Sequence, residues 1–394
     1  MKTITTSSSD RSAALAAAVI LVVGMGIGRF AFTGLYPQMV QDNVMTVSVG
    51  SYAASANNAG YLIGAFLAGF FPSVSSLRKC IFAIVATVIC TLTLALPVSH
   101  EVIIGIRAFA GIASAFAMVS ASHWLLHDQA NTAGAPLLYS GVGLGIAISA
   151  ELIAAGSWYG LNSELNWLLV SVAGAAMGIC ALQIMSTKSH VSSVQTHITR
   201  PGHTQQAALS ARTLLVIYML SGFGASITSA YLPLFVRGAL GSFNPVHVWT
   251  LFGIGAIPSS FLWHLLHERL GTKKALTTNL LVQGIGVGLP AVYPSVMSYG
   301  ISAILVGGSF MGTVTIVLPA ARRVAHTVKF NVLAMMSSGY GVGAIVGPLI
   351  ADAVFARQQS FTLSLYFAAV ALLIAAAAAT FSRKNGTTET KLTT

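Results

Sequence analysis

The sequence predicts an all-α integral membrane protein of twelve transmembrane helices, arranged as two pseudo-symmetric six-helix bundles. Three observations predict this fold: a composition poor in charge, a series of long apolar stretches, and an internal repeat. Only 7% of the 394 residues are charged and the mean hydropathy is +0.79, whereas soluble domains carry about 25% charged residues. A chain of this composition has too few charged residues to form the water-exposed surface of a soluble protein. We therefore expect no nucleic-acid partner, despite the net charge of +11.

The apolar stretches are long enough to be membrane spans. A helix needs about 20 mostly apolar residues to cross the hydrocarbon core of a bilayer. The first stretch is longer than the apolar region of a signal peptide, about 7 to 15 residues, so it is predicted to be an uncleaved first helix. The predicted spans are 13–36, 49–72, 80–98, 102–125, 135–157, 165–186, 212–236, 246–266, 275–294, 297–320, 330–355 and 361–382.

The distribution of Lys and Arg predicts the orientation. Cytoplasmic loops of membrane proteins are enriched in these residues. If both termini are cytoplasmic, sixteen of the twenty Lys and Arg fall in cytoplasmic segments. We therefore expect a multi-pass protein with both termini in the cytoplasm.

A polar segment at 187–211 divides the predicted spans into six and six. Gly24-Met-Gly26 matches Gly222-Phe-Gly224, and Ser140–Gly145 matches Ser338–Gly343. Duplication of a six-helix unit explains these matches, while chance similarity among glycine-rich helices is the alternative. The predicted organisation is a cytoplasmic tail at 1–12, an N-terminal bundle at 13–186, a cytoplasmic linker at 187–211, a C-terminal bundle at 212–382 and a cytoplasmic tail at 383–394.

The loop between the eighth and ninth spans carries a specific motif. It reads Glu268-Arg269-Leu-Gly271-Thr-Lys273-Lys274 and is similar to the D-R-x-G-x-R-R loop of the major facilitator superfamily. The equivalent first-half loop keeps Gly69 and the basic pair Arg78-Lys79 but has Ser73 at the acidic position. The chain resembles that superfamily over almost its whole length. The resemblance implies the major facilitator fold and a cytoplasmic gate formed mainly by the second-half loop.

Two further stretches narrow the resemblance. Gly26–Thr33 and Ala54–Gly64 resemble the YbfB/YjiJ-type bacterial branch of the superfamily. That branch implies a transporter of the bacterial inner membrane and supplies no substrate. In the superfamily fold the first, fourth, seventh and tenth helices line a central cavity.

Four charged residues fall within predicted spans: Arg29, Arg107, Glu151 and Asp352. A charge at the bilayer centre costs at least about 2.5 to 3.5 kcal/mol, so such residues usually face a partner or a wet cavity. The helical rise of about 1.5 Å per residue places the first three in one layer and Asp352 nearer a helix end. We predict that Arg29 and Arg107 bind an anionic substrate, and that Glu151, Arg107 and Asp352 take part in proton coupling. The alternative is a structural ion pair between Arg107 and Glu151.

Neutral polar residues complete the predicted site. Asn57 and Asn58 would either orient a polar substrate or hydrogen-bond one helix to another. Tyr231 and Thr313, in the seventh and tenth spans, are further predicted substrate ligands. The ten histidines show no metal-ligand spacing, so neither a metal nor a cofactor is expected.

These features predict a secondary active transporter that moves a small polar or anionic organic solute by alternating access, as proton-coupled efflux. The alternatives are a proton-coupled symporter that imports an organic anion, and a non-transporting membrane sensor. We expect no enzymatic activity, because no nucleophile with a base is evident. The expected partners are the solute, protons and the lipid bilayer, and the expected state is a monomer.

Overall fold

The structure is a computed structural model that describes residues 8–189, 209–237, 244–325 and 331–382. The described residues form helices and no strands. The predicted tails and linker lie largely outside them. The first helix comprises α1 (Ser8–Leu21), a π-helical segment (Val22–Phe30) and α2 (Ala31–Gln41). The other α-helices are α3 (Val47–Phe70), α4 (Ser76–Thr93), α5 (His100–His123), α6 (Ala135–Trp158), α7 (Ser163–Ser189), α8 (Ala211–Arg237), α9 (Val246–Val292), α10 (Val296–Phe310), α11 (Gly312–Arg323), α12 (Val332–Gln358) and α13 (Thr362–Phe381).

Ten of the described helical stretches are long and apolar enough to cross a membrane. One of them, α9, is 47 residues long and contains the non-helical residue Gly271, with φ 74° and ψ 168°. The predicted spans 246–266 and 275–294 correspond to the parts of α9 that precede and follow Gly271. In contrast, α3 is not among the ten, because Asn57, Asn58 and several serines lower its hydropathy. The fold is therefore an all-helical, multi-pass membrane fold.

The π-helical segment lies in the middle of the first helix. Its sequence, Val-Val-Gly-Met-Gly-Ile-Gly-Arg-Phe, contains three glycines and is buried except at Arg29, which is partly exposed. A π-helix replaces the i→i+4 hydrogen bonds with i→i+5 bonds, is rare, and frequently occurs at functional sites. Arg29 is the residue before the last in this segment.

Glycines bring four helices into backbone contact. A Cβ atom on Gly145 of α6 would lie 2.6 Å from the carbonyl oxygen of Val22 in the first helix. A Cβ atom on Gly343 of α12 would come closer still to the carbonyl oxygen of Met219 in α8. Neither position leaves room for a side chain, so helices pack closely at matching positions of the two halves of the chain.

Hydrogen bonds join the helices at both ends of the bundle, which are called the Asp42 end and the Asp10 end after residues that lie there. At the Asp42 end, the backbone N–H of Ser163 donates to Asp42 Oδ2 at 2.7 Å. At the Asp10 end, Asn131 Nδ2 donates to the Asp10 carbonyl at 2.8 Å. Hydrogen bonds between the first and second halves of the chain include Thr33 Oγ1 to the Ser229 carbonyl at 2.7 Å. The Thr33–Ser229 contact joins the halves between the level of Arg29 and the Asp42 end.

Candidate functional site

Arg107 is buried beside the π-helical segment, with 2% of its surface exposed. Its Nη1 donates to the Gly28 carbonyl at 2.9 Å and its Nη2 to the Arg29 carbonyl at 2.8 Å. The guanidinium also lies 4.4 Å from the centre of the Phe32 ring. Arg107 thus holds the backbone that carries Arg29, and the two arginines are neighbours.

The Arg29 side chain does not take part in the hydrogen bonds between Arg107 and the backbone and contacts α3 instead. Its Nη2 donates to Asn58 Oδ1 at 2.7 Å, and its guanidinium carbon lies 4.2 Å from the centre of the Tyr61 ring. A guanidinium has five N–H donors, and this contact uses one of them. Arg29 therefore has donors available for a planar acceptor such as a carboxylate.

The two asparagines of α3 make different contacts. Asn57 is buried, and its Nδ2 donates to the Arg107 carbonyl at 2.9 Å, which joins α3 to α5. Asn58 accepts the hydrogen bond from Arg29 and donates to the Ala344 carbonyl of α12 at 2.8 Å. Asn58 therefore connects Arg29 to the second half of the chain, while Asn57 makes the helix-to-helix bond that was one of the two predicted alternatives.

Glu151 does not join the arginines, although it lies on a helix of the same half. Its Oε1 lies 3.0 Å from His247 Nδ1 and accepts a short hydrogen bond from Thr250 Oγ1. About half of its side chain is exposed, at 51%. The predicted contact between Glu151 and the arginines, including the structural pair with Arg107, is wrong, because α6 turns this residue toward α9. Within the described ranges, no carboxylate forms an ion pair with Arg29 or Arg107.

Tyrosines that were not predicted as site residues lie where α3, which carries the Arg29 partners Asn58 and Tyr61, packs on α12. Gly341, next to Tyr340 in α12, packs against Leu62, next to Tyr61. The ring of Tyr340 packs on that of Tyr218 in α8, with centroids 4.8 Å apart. We call Tyr61, Tyr218 and Tyr340 the tyrosine cluster. Its members lie on the three helices α3, α8 and α12, so no local motif could have revealed it.

Asp352 lies in a second polar group, toward the Asp42 end. It is 8% exposed, and its Oδ1 accepts a hydrogen bond from Ser51 Oγ at 3.3 Å. The Tyr231 hydroxyl lies 2.7 Å from Ser51 Oγ and 2.9 Å from the Pro348 carbonyl. Asp352 and Tyr231 are thus in one network between α3, α8 and α12.

Thr313 is bound within the second half of the chain. Its Oγ1 donates to Asn279 Oδ1 at 2.8 Å and lies 3.3 Å from Ser221 Oγ. With 2% of its surface exposed, it links α11 to α8 and α9. The structure does not bring it into the hydrogen-bond network of Arg29.

The predicted gate motifs lie near the Asp10 end. Lys79 Nζ donates to the Ala68 carbonyl at 3.1 Å, and Lys273 Nζ donates to the Ser382 carbonyl at 3.0 Å, so each lysine binds a carbonyl near the end of a helix. Glu268 lies 3.4 Å from His264, one turn earlier in α9. The positive φ of Gly271 is unfavourable for residues with a Cβ atom. The remaining motif residues, Gly69, Arg78, Arg269 and Lys274, are exposed.

Comparison with known proteins identifies the family. A family model described as uncharacterised MFS-type transporter YbfB matches residues 21–380. No curated protein matches the chain. The match includes the first helix from the end of α1, both arginines and all helices through α13. The chain therefore belongs to the family of uncharacterised MFS-type transporters represented by YbfB, as its sequence motifs predicted.

Proposed function

We propose that this protein is a secondary active transporter of a small anionic organic solute, which it moves across the bacterial inner membrane by alternating access and exports in exchange for protons. Membership of a transporter family supports the general function. The observation that carries the substrate class is the pair of adjacent arginines, Arg29 and Arg107, without a carboxylate partner among the described residues.

The twelve-span arrangement is part of this proposal. Ten helical stretches meet the length and hydropathy criteria. Counting α9 as two spans separated at Gly271, and adding α3, gives twelve. The spans would form bundles at 13–186 and 212–382, with cytoplasmic termini, as the excess of Lys and Arg in the corresponding loops favours.

The anion hypothesis follows from electrostatics. Two neighbouring guanidiniums in a low-dielectric environment repel each other, and a buried charge is costly without a partner. Arg107 donates both its Nη groups to backbone carbonyls, while Arg29 keeps several donors. A carboxylate or sulfonate would accept two parallel hydrogen bonds from Arg29 and neutralise one of the positive charges.

Proton coupling would use Asp352 and Glu151, and the two differ in their surroundings. Asp352 is buried among the hydroxyl groups of Ser51 and Tyr231, between the two halves of the chain. Loss or gain of its proton would change the hydrogen bonds that close the Asp42 end. Glu151, which is half exposed and contacts His247, would exchange protons from the solvent at that end.

Import of an organic anion together with protons is the second candidate. It is favoured by the same arginines, because they attract an anion from either side of the membrane. The two candidates differ in the relative direction of solute and proton.

A flux experiment tests the proposal. The purified protein is reconstituted into liposomes that contain a pH-sensitive dye, and gradients of succinate, methanesulfonate and benzenesulfonate are imposed. We expect at least one anion to drive a protein-dependent pH change. Exchange predicts that an inward anion gradient makes the lumen alkaline, whereas symport predicts acidification. Asp352→Asn should abolish the pH change. Liposomes without protein control for leakage, and a response only to cations would contradict the anion hypothesis.

A further inference from the structure

We infer that the solute bound at Arg29 is an aromatic anion, with its acidic group on the Arg29 guanidinium and its ring against the tyrosine cluster. This inference rests on the proposed function, because it assumes an anion site at Arg29. It adds the chemical nature of the remainder of the solute.

The first step is the composition of the surroundings of Arg29. The guanidinium stacks over Tyr61 at 4.2 Å and lies 5.4 Å from the centre of the Phe30 ring. Phe30 in turn packs edge-on against Phe310, with centroids 5.7 Å apart. Arg29 is therefore bordered by aromatic rings. A site for an aliphatic solute would be expected to present alkyl groups, and a site for a sugar-like solute would be expected to present many hydrogen-bonding groups.

The second step is the position of the cluster between the two halves of the chain. Tyr61 belongs to α3, in the first half, whereas Tyr218 and Tyr340 belong to α8 and α12, in the second. Gly341, next to Tyr340, packs against Leu62, next to Tyr61, and the rings of Tyr218 and Tyr340 are in contact. A ring held here would contact both halves at once, as a solute that passes between two moving halves must.

The third step is accessibility. Tyr61 and Tyr340 are only partly buried, as is Arg29, while Tyr218 is buried at 5% exposure. In contrast, Tyr36 and Tyr231 are fully buried, at 0% exposure. Part of the surface of Tyr61, Tyr340 and Arg29 is therefore accessible to a ligand.

The sign of the charge follows from the arginines. Rings alone would also suit a cation, because aromatic cages bind quaternary ammonium groups. Here Arg29 already occupies a ring face of Tyr61, and Arg107 adds a second positive charge nearby. A cationic solute would be repelled. An aromatic anion gains both a bidentate hydrogen bond and stacking on the guanidinium or on a tyrosine.

Binding to the purified full-length protein in detergent tests the inference. Benzoate and cyclohexanecarboxylate have the same acidic group and similar size, but only benzoate has a planar π-system. Ring stacking adds about 0.5 to 1.5 kcal/mol, so we expect benzoate to bind about 2- to 12-fold more tightly. Because cyclohexane is the more apolar ring, burial alone would give the opposite order.

Variants then show which rings cause the preference for benzoate over cyclohexanecarboxylate. Tyr61→Leu and Tyr340→Leu should reduce this preference, whereas Tyr61→Phe and Tyr340→Phe should keep it. Tyr366→Leu, at an exposed position of α13, is the matched control and should change nothing. The comparison of the two acids on the wild-type protein remains decisive even where a variant does not fold.

The outcomes separate the inference from the proposed function. Tighter binding of benzoate that depends on the Tyr61 or Tyr340 ring supports the inference. Equal or weaker binding of benzoate, with both acids lost in Arg29→Ala, overturns the aromatic preference and leaves the anion site intact. If neither acid nor benzenesulfonate binds, or if benzylamine binds equally well, the anion site fails and the inference fails with it.

Discussion

The two halves of the chain pack alike and differ in chemistry. Gly145 packs against a carbonyl of the first helix and Gly343 against a carbonyl of α8, so the same kind of backbone contact occurs twice. In the register that aligns Gly26 with Gly224, however, Arg29 corresponds to Ile227, which is fully buried. The repeated glycines preserve the helix packing, while the arginines are confined to one half. Packing and chemistry are therefore separable, and mutations can test each of them.

The largest effect is expected at Arg107, which has no counterpart in the packing of the second half. Arg107→Ala would leave the Gly28 and Arg29 carbonyls without their donors. Each buried unsatisfied group costs about 1–3 kcal/mol, so the free energy of unfolding should fall by about 2–6 kcal/mol. Equilibrium unfolding in mixed micelles measures it. The exposed Arg78→Ala is the control, and an equal change in both variants would show that Arg107 does not hold the π-helical segment.

The glycine contacts should respond equally in the two halves. Gly145→Ala and Gly343→Ala each place a methyl group against a backbone carbonyl. Overpacking of this kind costs about 1–3 kcal/mol. Gly105→Ala serves as the control, because its Cβ would meet open space, and it should be neutral or stabilising. If only one of the two contact glycines is sensitive, the halves do not share their packing after all.

The membrane helices could be predicted from the sequence because each one depends on the hydropathy of a single continuous stretch of residues. Runs of apolar residues predicted the membrane helices. Depth along a helix also placed Arg29, Arg107 and Glu151 in one layer, and the structure brings the two arginines together. Depth does not give rotation about the helix axis, which is why the expected contact of Glu151 with them was wrong.

The other features missed from the sequence are non-local. Two carbonyls of the π-helical segment accept hydrogen bonds from Arg107, which lies on another helix. Members of the tyrosine cluster are separated by long stretches of sequence and meet only after the helices pack. A single tyrosine within an apolar stretch carries no sign of such a cluster.

The contact between Glu151 and His247 should have the smallest effect on stability, although it also joins the two halves. Both side chains are about half exposed, at 51% and 41%. Exposed ion pairs contribute about 0.2–1 kcal/mol and are weakened by salt. A double-mutant cycle of Glu151→Gln and His247→Gln, measured by thermal unfolding at low and high salt, should give a coupling in this range. A coupling energy as large as the loss of unfolding free energy in Arg107→Ala would contradict the expectation that the exposed Glu151–His247 pair contributes less to stability than the buried Arg107.

Ligand-dependent thermal stabilisation of wild type, Arg29→Lys and Arg29→Ala tests the anion site most directly. A ligand that binds only the folded state raises the unfolding temperature by mass action. We predict that an organic carboxylate stabilises the wild type, stabilises Arg29→Lys less because an ammonium group cannot form the bidentate contact, and does not stabilise Arg29→Ala. Arg357→Ala, at an exposed position of α12, should behave as the wild type does. If carboxylates stabilise Arg29→Ala as much as the wild type, Arg29 is not the anion site.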